Sequence, residues 1–148
     1  MSRFFAAFCL VIAAAISTGC TSVPMASKAQ DTTAKTFAVK PDKASIYVYR
    51  NESLGAAVKM SVALDGKIVA DTSAHSFMVL NVPPGKHMLV SMTENDSPLE
   101  IDAQAGRNYF VWQEAKMGFF GARSALHLVD DATGKKGVAE CKLIKTHQ

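Results

Sequence analysis

Short apolar runs broken by turn residues dominate the chain from Ala44 onward. "SIYVYR", Ser45 to Arg50, is β-branched and aromatic at every second position on both faces, which predicts a central strand covered on two sides. In "VKMSVALDGKIVAD", Met60, Val62 and Leu64 alternate with Lys59, Ser61 and Asp65, the pattern of a half-buried strand. Asp65-Gly66 then signals a two-residue type I′ hairpin loop, because that turn needs positive φ at both positions. "SFMVLNV", Ser76 to Val82, is a further strand, and Pro83-Pro84-Gly85 stops it. Pro84 presets φ for one turn position and Gly85 tolerates positive φ at the next. "KHMLVSMTE" is expected to turn Met88, Val90 and Met92 inward and His87, Leu89 and Ser91 outward. "PLEIDA" puts Leu99 and Ile101 on one face, opposite Glu100 and Asp102. Gly106 serves as the turn glycine before "RNYFVWQEA", which is again apolar on both faces, and "SALHLVD" sets Leu126 with Leu128. The spacing of turns predicts an all-β domain, an antiparallel β-sandwich of seven to eight short strands. A short C-terminal helix fits only in "DDATGKKGVAECKLI", where Gly134 and Gly137 weaken it.

One connection does not look like an ordinary loop. "KMGFFGARS", Lys116 to Ser124, carries Met117, Phe119 and Phe120 between Gly118 and Gly121, with Lys116 and Arg123 as charged borders. Connections usually run over the surface. Two readings follow: Met117, Phe119, Phe120 and Arg123 form a partner contact, or the loop folds back so that the phenylalanines cap one open end of the sandwich.

Before Ala44 the pattern changes. Arg3 precedes the apolar run Phe4 to Ile16, which is shorter than the roughly 20 residues of a membrane-spanning helix and has the form of a secretory signal. Ser17, Thr18 and Gly19 then lead into Cys20, a sequence that resembles the lipobox of bacterial lipoproteins, although Ser17 stands where that motif usually has Leu. The resemblance implies cleavage before Cys20 and lipid on its thiol. The competing reading is a secreted protein cut at an A-x-A site, but Ala13-Ala14-Ala15 lies inside the apolar run. Thr21 to Lys43 is rich in Thr, Ser, Ala and Lys without an apolar period, which predicts a flexible tether. The expected organisation is a lipoprotein signal peptide over 1–19, a lipid-anchored tether over 20–43 and a β-sandwich domain over 44–148. Thr21 rather than Asp after the cysteine implies, by the same resemblance, the periplasmic face of the outer membrane; a soluble periplasmic or secreted protein is the alternative.

Composition adds limits. The chain has 148 residues and three cysteines. Cys9 leaves with the signal and Cys20 takes the lipid, so Cys141 has no intramolecular partner and is expected to be a small core residue. The net charge of +3, with no basic run, argues against nucleic acid.

Candidate chemistry is sparse. His75, His87, His127 and His147 are scattered without metal-ligand spacing, and His87 and His127 fall on faces expected to be solvated. No G-x-S-x-G elbow, P-loop or G-x-G-x-x-G is present. Asp130-Asp131 is expected to be a turn or helix start rather than an acid/base dyad, and "GKKG" a solvated loop. The sequence therefore predicts no catalytic residue, no metal and no cofactor.

"ASIYVYR", "VALDGKIVA", "FMVLNVPPGKHMLV" and "AGRNYFVW", in that order, resemble the DUF2846 family of small bacterial lipoproteins, and the "DGK…PPGKH" core resembles PEGA-type repeats of cell-surface proteins. The likeness covers about 44–144. It implies an immunoglobulin- or transthyretin-like β-sandwich in the cell envelope and transfers no catalytic residue. The expected function is a non-catalytic binding or scaffold module, not an enzyme. Its membrane contact would be the lipid on Cys20, and its partner an envelope protein, peptidoglycan or another glycan. The alternative is a structural subunit of a larger envelope complex with no ligand of its own; a hydrolase is a third class.

Overall fold

The computed structural model describes residues 22–147. The segment 1–19 expected to be a signal peptide, and Cys20, lie outside the described residues. Two short helices and nine strands follow in the order α1 (Lys28–Ala34), β1 (Ala44–Arg50), β2 (Met60–Leu64), β3 (Lys67–Thr72), β4 (Ser76–Val82), β5 (Gly85–Met92), β6 (Asp96–Ala103), β7 (Asn108–Met117), β8 (Ala122–Val129), α2 (Asp131–Ala139) and β9 (Lys142–Leu143). They form a β-sandwich of a five-stranded sheet, β8-β7-β1-β4-β9, and a four-stranded sheet, β3-β2-β5-β6. The expected all-β sandwich and its short C-terminal helix are both present. The larger sheet is mixed rather than purely antiparallel, because β1 pairs parallel with β7 and β4 pairs parallel with β9.

The two-sided strands mark a third layer. Ile46, Val48, Met78, Leu80 and Val111 face Val62, Leu89 and Ile101 of the other sheet and form the main core. On the opposite face of the larger sheet, Tyr47, Tyr49, Phe77 and Phe110 pack with Val138 and Cys141. Strand β1 is buried at all seven positions for this reason. Gly134 and Gly137 do not merely weaken α2. A Cβ at Gly134 would lie 2.2 Å from Phe110, and one at Gly137 would lie 2.2 Å from Tyr49. The helix rests directly on the aromatic rings, an approach that only glycine permits.

Three expectations are overturned. Residues 22–43 are not a flexible tether: Ser27 and Gln30 form a capping box on α1, Met25 bridges Ile144, and Val23 is buried in the main core. Apolar periodicity missed this segment because its anchors are single residues and backbone bonds, such as Ala26 N–H to the Leu143 carbonyl at 2.9 Å. Strand β5 faces the other way: His87, Leu89 and Ser91 are buried, while Met88 is exposed and Val90 and Met92 are half-buried. Polar residues can point inward here because each has hydrogen-bond partners: Gln113 and Ser124 for Ser91, Asp65 and the Pro83 carbonyl for His87. Finally, Leu126 is buried but Leu128, near the end of an edge strand, is exposed.

Candidate functional site

The family-like turns form one clamp. Asp65 and Gly66 have φ of 50° and 83°, the left-handed pair that a type I′ loop needs. The His87 imidazole reaches this turn from β5. Its Nδ1 lies 2.7 Å from Asp65 Oδ2, and its Nε2 lies 2.8 Å from the Pro83 carbonyl. Both neighbours are acceptors, so both contacts are satisfied only when both ring nitrogens carry protons, which favours the imidazolium. Burial opposes that charge, but the Asp65 carboxylate and the Pro83 carbonyl outweigh it and hold the His87 pKa above its ordinary value. The His87 bond and the Met88 N–H hold the Asp65 carboxyl below its ordinary value. His87 is therefore not the solvated histidine expected from its strand pattern. It ties the β2–β3 turn to the Pro83-Pro84-Gly85 turn.

A second polar set crosses the core at the far end. Thr72 Oγ donates to Gln113 Oε1 at 2.6 Å, Gln113 Nε2 donates to Ser91 Oγ at 2.6 Å, and Ser91 and Ser124 share a bond of 2.7 Å. All four side chains are buried. They alternate between the sheets and contain no titratable group, so the chain can stitch the layers together but cannot move charge. Beside it, fully buried Arg50 donates to the carbonyls of Val58, Leu54 and Gly55 at 2.9, 3.1 and 2.6 Å. This fork shapes the connection between β1 and β2.

The β7–β8 hairpin holds the candidate contact residues. Strand β7 runs to Met117 and β8 starts at Ala122, so the expected loop shrinks to a tip at 118–121. Met117, Phe119 and Phe120 are 77, 87 and 91% exposed. The fold-back reading is overturned: neither phenylalanine caps the sandwich. The rings meet edge-to-face, with centroids 4.7 Å apart. Glu94, between β5 and β6, accepts the N–H groups of both Phe119 and Phe120 at 3.1 Å, and Gly118 N–H closes the turn on the Gly121 carbonyl. A Cβ at Gly118 would lie 1.9 Å from Glu94, so glycine is what allows the carboxylate this close. Lys116 and exposed Arg123 stand directly opposite each other beneath the tip. Glu94 was not legible as part of this site, since nothing in the spacing of "TEND" points across to the next hairpin.

The remaining candidates take structural places. His127 is 2.8 Å from Glu114 and packs on Trp112; His75 is 3.0 Å from Ser53. Asp130 is the N-cap of α2 and bonds the Thr133 N–H at 2.9 Å; Asp131 sits in its first turn. Cys141 is buried, and burial pushes its thiol pKa up to about 12, which makes it inert. A groove of about 760 Å³ runs between α1 and the larger sheet, walled by Ala29, Thr33, Ala34, Tyr47 and Val79. Among the described residues no group of three His, Cys, Asp or Glu side chains is placed to hold a metal, and no helix is long and apolar enough to cross a membrane.

Comparison with known proteins gives two matches. A family model described as a protein of unknown function (DUF2846) matches residues 40–124, a span that includes the His87 clamp and the whole hairpin tip. An uncharacterized protein of Haemophilus influenzae is 29% identical over 150 residues, covering 99% of this chain and 89% of that protein. No solved structure matches.

Proposed function

The chain belongs to the DUF2846 family of proteins of unknown function, and from the geometry of its hairpin tip we propose that it is a lipid-anchored, non-catalytic binding module of the cell envelope. The observation that carries this reading is the exposure of Phe119 and Phe120 on a tip that Glu94 holds in one shape. Exposed aromatic surface of this kind is costly to keep in water and usually marks a contact. A preset tip also loses little conformational entropy when it binds. The edge-to-face rings make a knob rather than a flat stacking platform, which favours a protein partner over a glycan.

The strand directions support an anchor at the N-terminal side. Strand β9 runs parallel to β4, and Met25 bridges Ile144 in the antiparallel sense. Ser22 therefore lies toward the sheet end that holds Ala44 and Val82. Strand β7 runs parallel to β1 and carries the tip to the opposite end. With lipid on Cys20 at the periplasmic face of the outer membrane, Met117, Phe119, Phe120 and Arg123 would point away from the bilayer.

Two measurements test the reading. Cells fed labelled fatty acid should yield labelled wild-type protein, while Cys20→Ser should accumulate as an uncut, unlabelled precursor; normal processing of that variant overturns the anchor. A photo-crosslinking amino acid at Phe120 should give a discrete adduct, and its absence overturns the contact.

A further inference from the structure

The groove between α1 and the larger sheet has a roof that is pinned at both ends. Before α1, the Ala26 N–H donates to the Leu143 carbonyl at 2.9 Å, and the Lys145 N–H donates to the Pro24 carbonyl at 2.8 Å. After α1, the Phe37 ring packs on Tyr47 and Phe110, and Asn108 Nδ2 donates to the Phe37 carbonyl at 2.7 Å. Between these anchors α1 buries none of its own residues. The helix bridges the sheet rather than packing into it. It is held there by the Tyr47 hydroxyl, which donates to the Ala34 carbonyl at 3.2 Å, and by Asp31 Oδ1, which accepts the Leu143 N–H at 2.8 Å.

The groove beneath has a volume of about 760 Å³, within the roughly 300–1,000 Å³ of small-molecule sites. Its floor grades from apolar to polar along the strands. Tyr47 stands opposite Val79, and Val79 and Leu143 are only half-buried. Nearer the Ala44 end, Ser45 stands opposite Asn81, and their side chains bond each other at 3.0 Å.

The charged residues that line the groove are both cationic, Lys40 and Lys145, and the lining contains no Asp or Glu. Among the described residues neither lysine takes part in an ion pair. Asp31, the carboxylate carried by α1, is engaged by the Leu143 N–H and by Lys35 Nζ at 2.9 Å. Asp42, two residues beyond Lys40, lies outside the lining. The apolar floor suits an alkyl chain, and the two lysines suit an anionic head.

We propose that this groove binds a long-chain fatty acid, with its alkyl chain along Tyr47, Val79 and Leu143 and its carboxylate met by the lining lysines. Lysine fits that role twice over, since its stem covers apolar surface while its ammonium stays in water. Exposed ion pairs contribute little, so the chain supplies most of the affinity and the charge selects the head group. The site is separate from the hairpin tip and goes beyond the reading of the chain as a protein-binding module. It does not require lipid on Cys20. With that anchor in place, the Ser45–Asn81 end of the groove is the end nearer the bilayer, the source of such a ligand.

The test uses the full-length protein in phosphatidylcholine nanodiscs and palmitic acid that carries a photoactivatable group and an alkyne. Mass spectrometry after illumination should find the probe on peptides that contain Tyr47 or Val79, and excess untagged palmitic acid should compete it away. Lys40→Glu with Lys145→Glu should lower this labelling several-fold and leave labelling by the matching uncharged palmityl alcohol unchanged. Ala29→Leu with Thr33→Leu adds bulk to the groove wall and should remove labelling by both probes. Thermal melts check that each variant folds, and the lysine variant, altered only at exposed positions, decides the matter if the leucine variant does not. Labelling confined to other peptides overturns the proposal, as does labelling that untagged palmitic acid does not displace. An equal response of acid and alcohol to the lysine reversal also overturns it, because the lysines would then act on the fold and not on the head group. Stronger labelling of the same peptides by tagged phosphatidylglycerol than by the acid replaces the fatty acid with a phospholipid and overturns the proposal too. None of these results touches the Cys20 anchor or the Phe120 crosslink, which stand or fall on their own measurements.

Discussion

His87 Nδ1 lies 2.7 Å from Asp65 Oδ2, although the two residues are 22 positions apart in the chain. That bond gives the "DGK…PPGKH" pattern a single physical meaning. Asp65 and Gly66 make one turn, Pro83, Pro84 and Gly85 make another, and the imidazolium joins them. Asp65 Oδ1 adds a bond from the Met88 N–H at 2.9 Å.

The clamp predicts how stability follows pH. His87 titrates above its ordinary 6.5 in the fold, so its contribution is complete below 6.5 and is lost as pH rises through the raised value. Asp65 titrates below its ordinary 3.8, so its contribution is complete above 3.8 and is lost as pH falls through the lowered value. The pair stabilises most between these two limits. Urea unfolding at a series of pH values should show stability falling as pH rises above 6.5, and His87→Gln should flatten that limb. An unchanged alkaline slope in the variant would remove His87 from this role.

Gly137→Ala separates a helix argument from a packing argument. In an exposed helix the change stabilises by up to about 1 kcal/mol. Here the new methyl meets the Tyr49 ring at 2.2 Å. Overpacking of this kind costs roughly 1–3 kcal/mol, so the variant should be less stable than wild type. A rise in urea midpoint would mean that α2 does not rest on Tyr49.

These cases show where the sequence was readable. Turn chemistry is local, so Asp65-Gly66 and the Pro83 stop are visible in two or three letters. Two-sided burial of β1 and β7 is visible because both faces are apolar. What lies beyond reach is pairing between distant polar groups. Ser91 and His87 look like solvent-facing residues until Gln113 and Asp65 are placed beside them. The apolar Met88, Val90 and Met92 then look like core, and the facing of β5 is read backwards. The same limit hides Glu94 from the tip and α1 from the segment before Ala44. The exposed phenylalanines could be named as a candidate contact, because apolar residues between two glycines in a connection stand out, but only geometry decides between core and surface.

Arg50 should be the most sensitive polar position in the described structure. Its guanidinium supplies donors to three carbonyls of the β1–β2 connection from a fully buried site. Arg50→Met removes all three bonds, leaving the Gly55 carbonyl only the Val58 N–H, and charge-assisted bonds contribute about 1.5–3 kcal/mol each. A loss of at least about 3 kcal/mol is expected by that measure. Arg50→Lys keeps the charge but not the planar fork, and should recover less than half of the loss. Equal stability of the Lys variant and wild type in urea would show that charge alone matters at this site.

The tip gives the opposite expectation. Phe119 and Phe120 are 87 and 91% exposed, so replacing both with Ala removes almost no buried surface. Stability should stay within about 0.5 kcal/mol of wild type, the usual range for surface changes. Were the rings core residues, each truncation would cost roughly 3–5 kcal/mol, and the domain would melt early. Glu94→Ala acts differently, because the carboxylate accepts the N–H groups of both phenylalanines. Its loss should leave global stability nearly unchanged while the amides of Phe119 and Phe120 exchange with solvent much faster. Glu94→Gln keeps an acceptor oxygen and should hold exchange closer to wild type. Hydrogen exchange read at those two amides decides the matter: equal rates in wild type and Glu94→Ala would mean that the tip is not held by Glu94, and the preset knob would lose its physical basis.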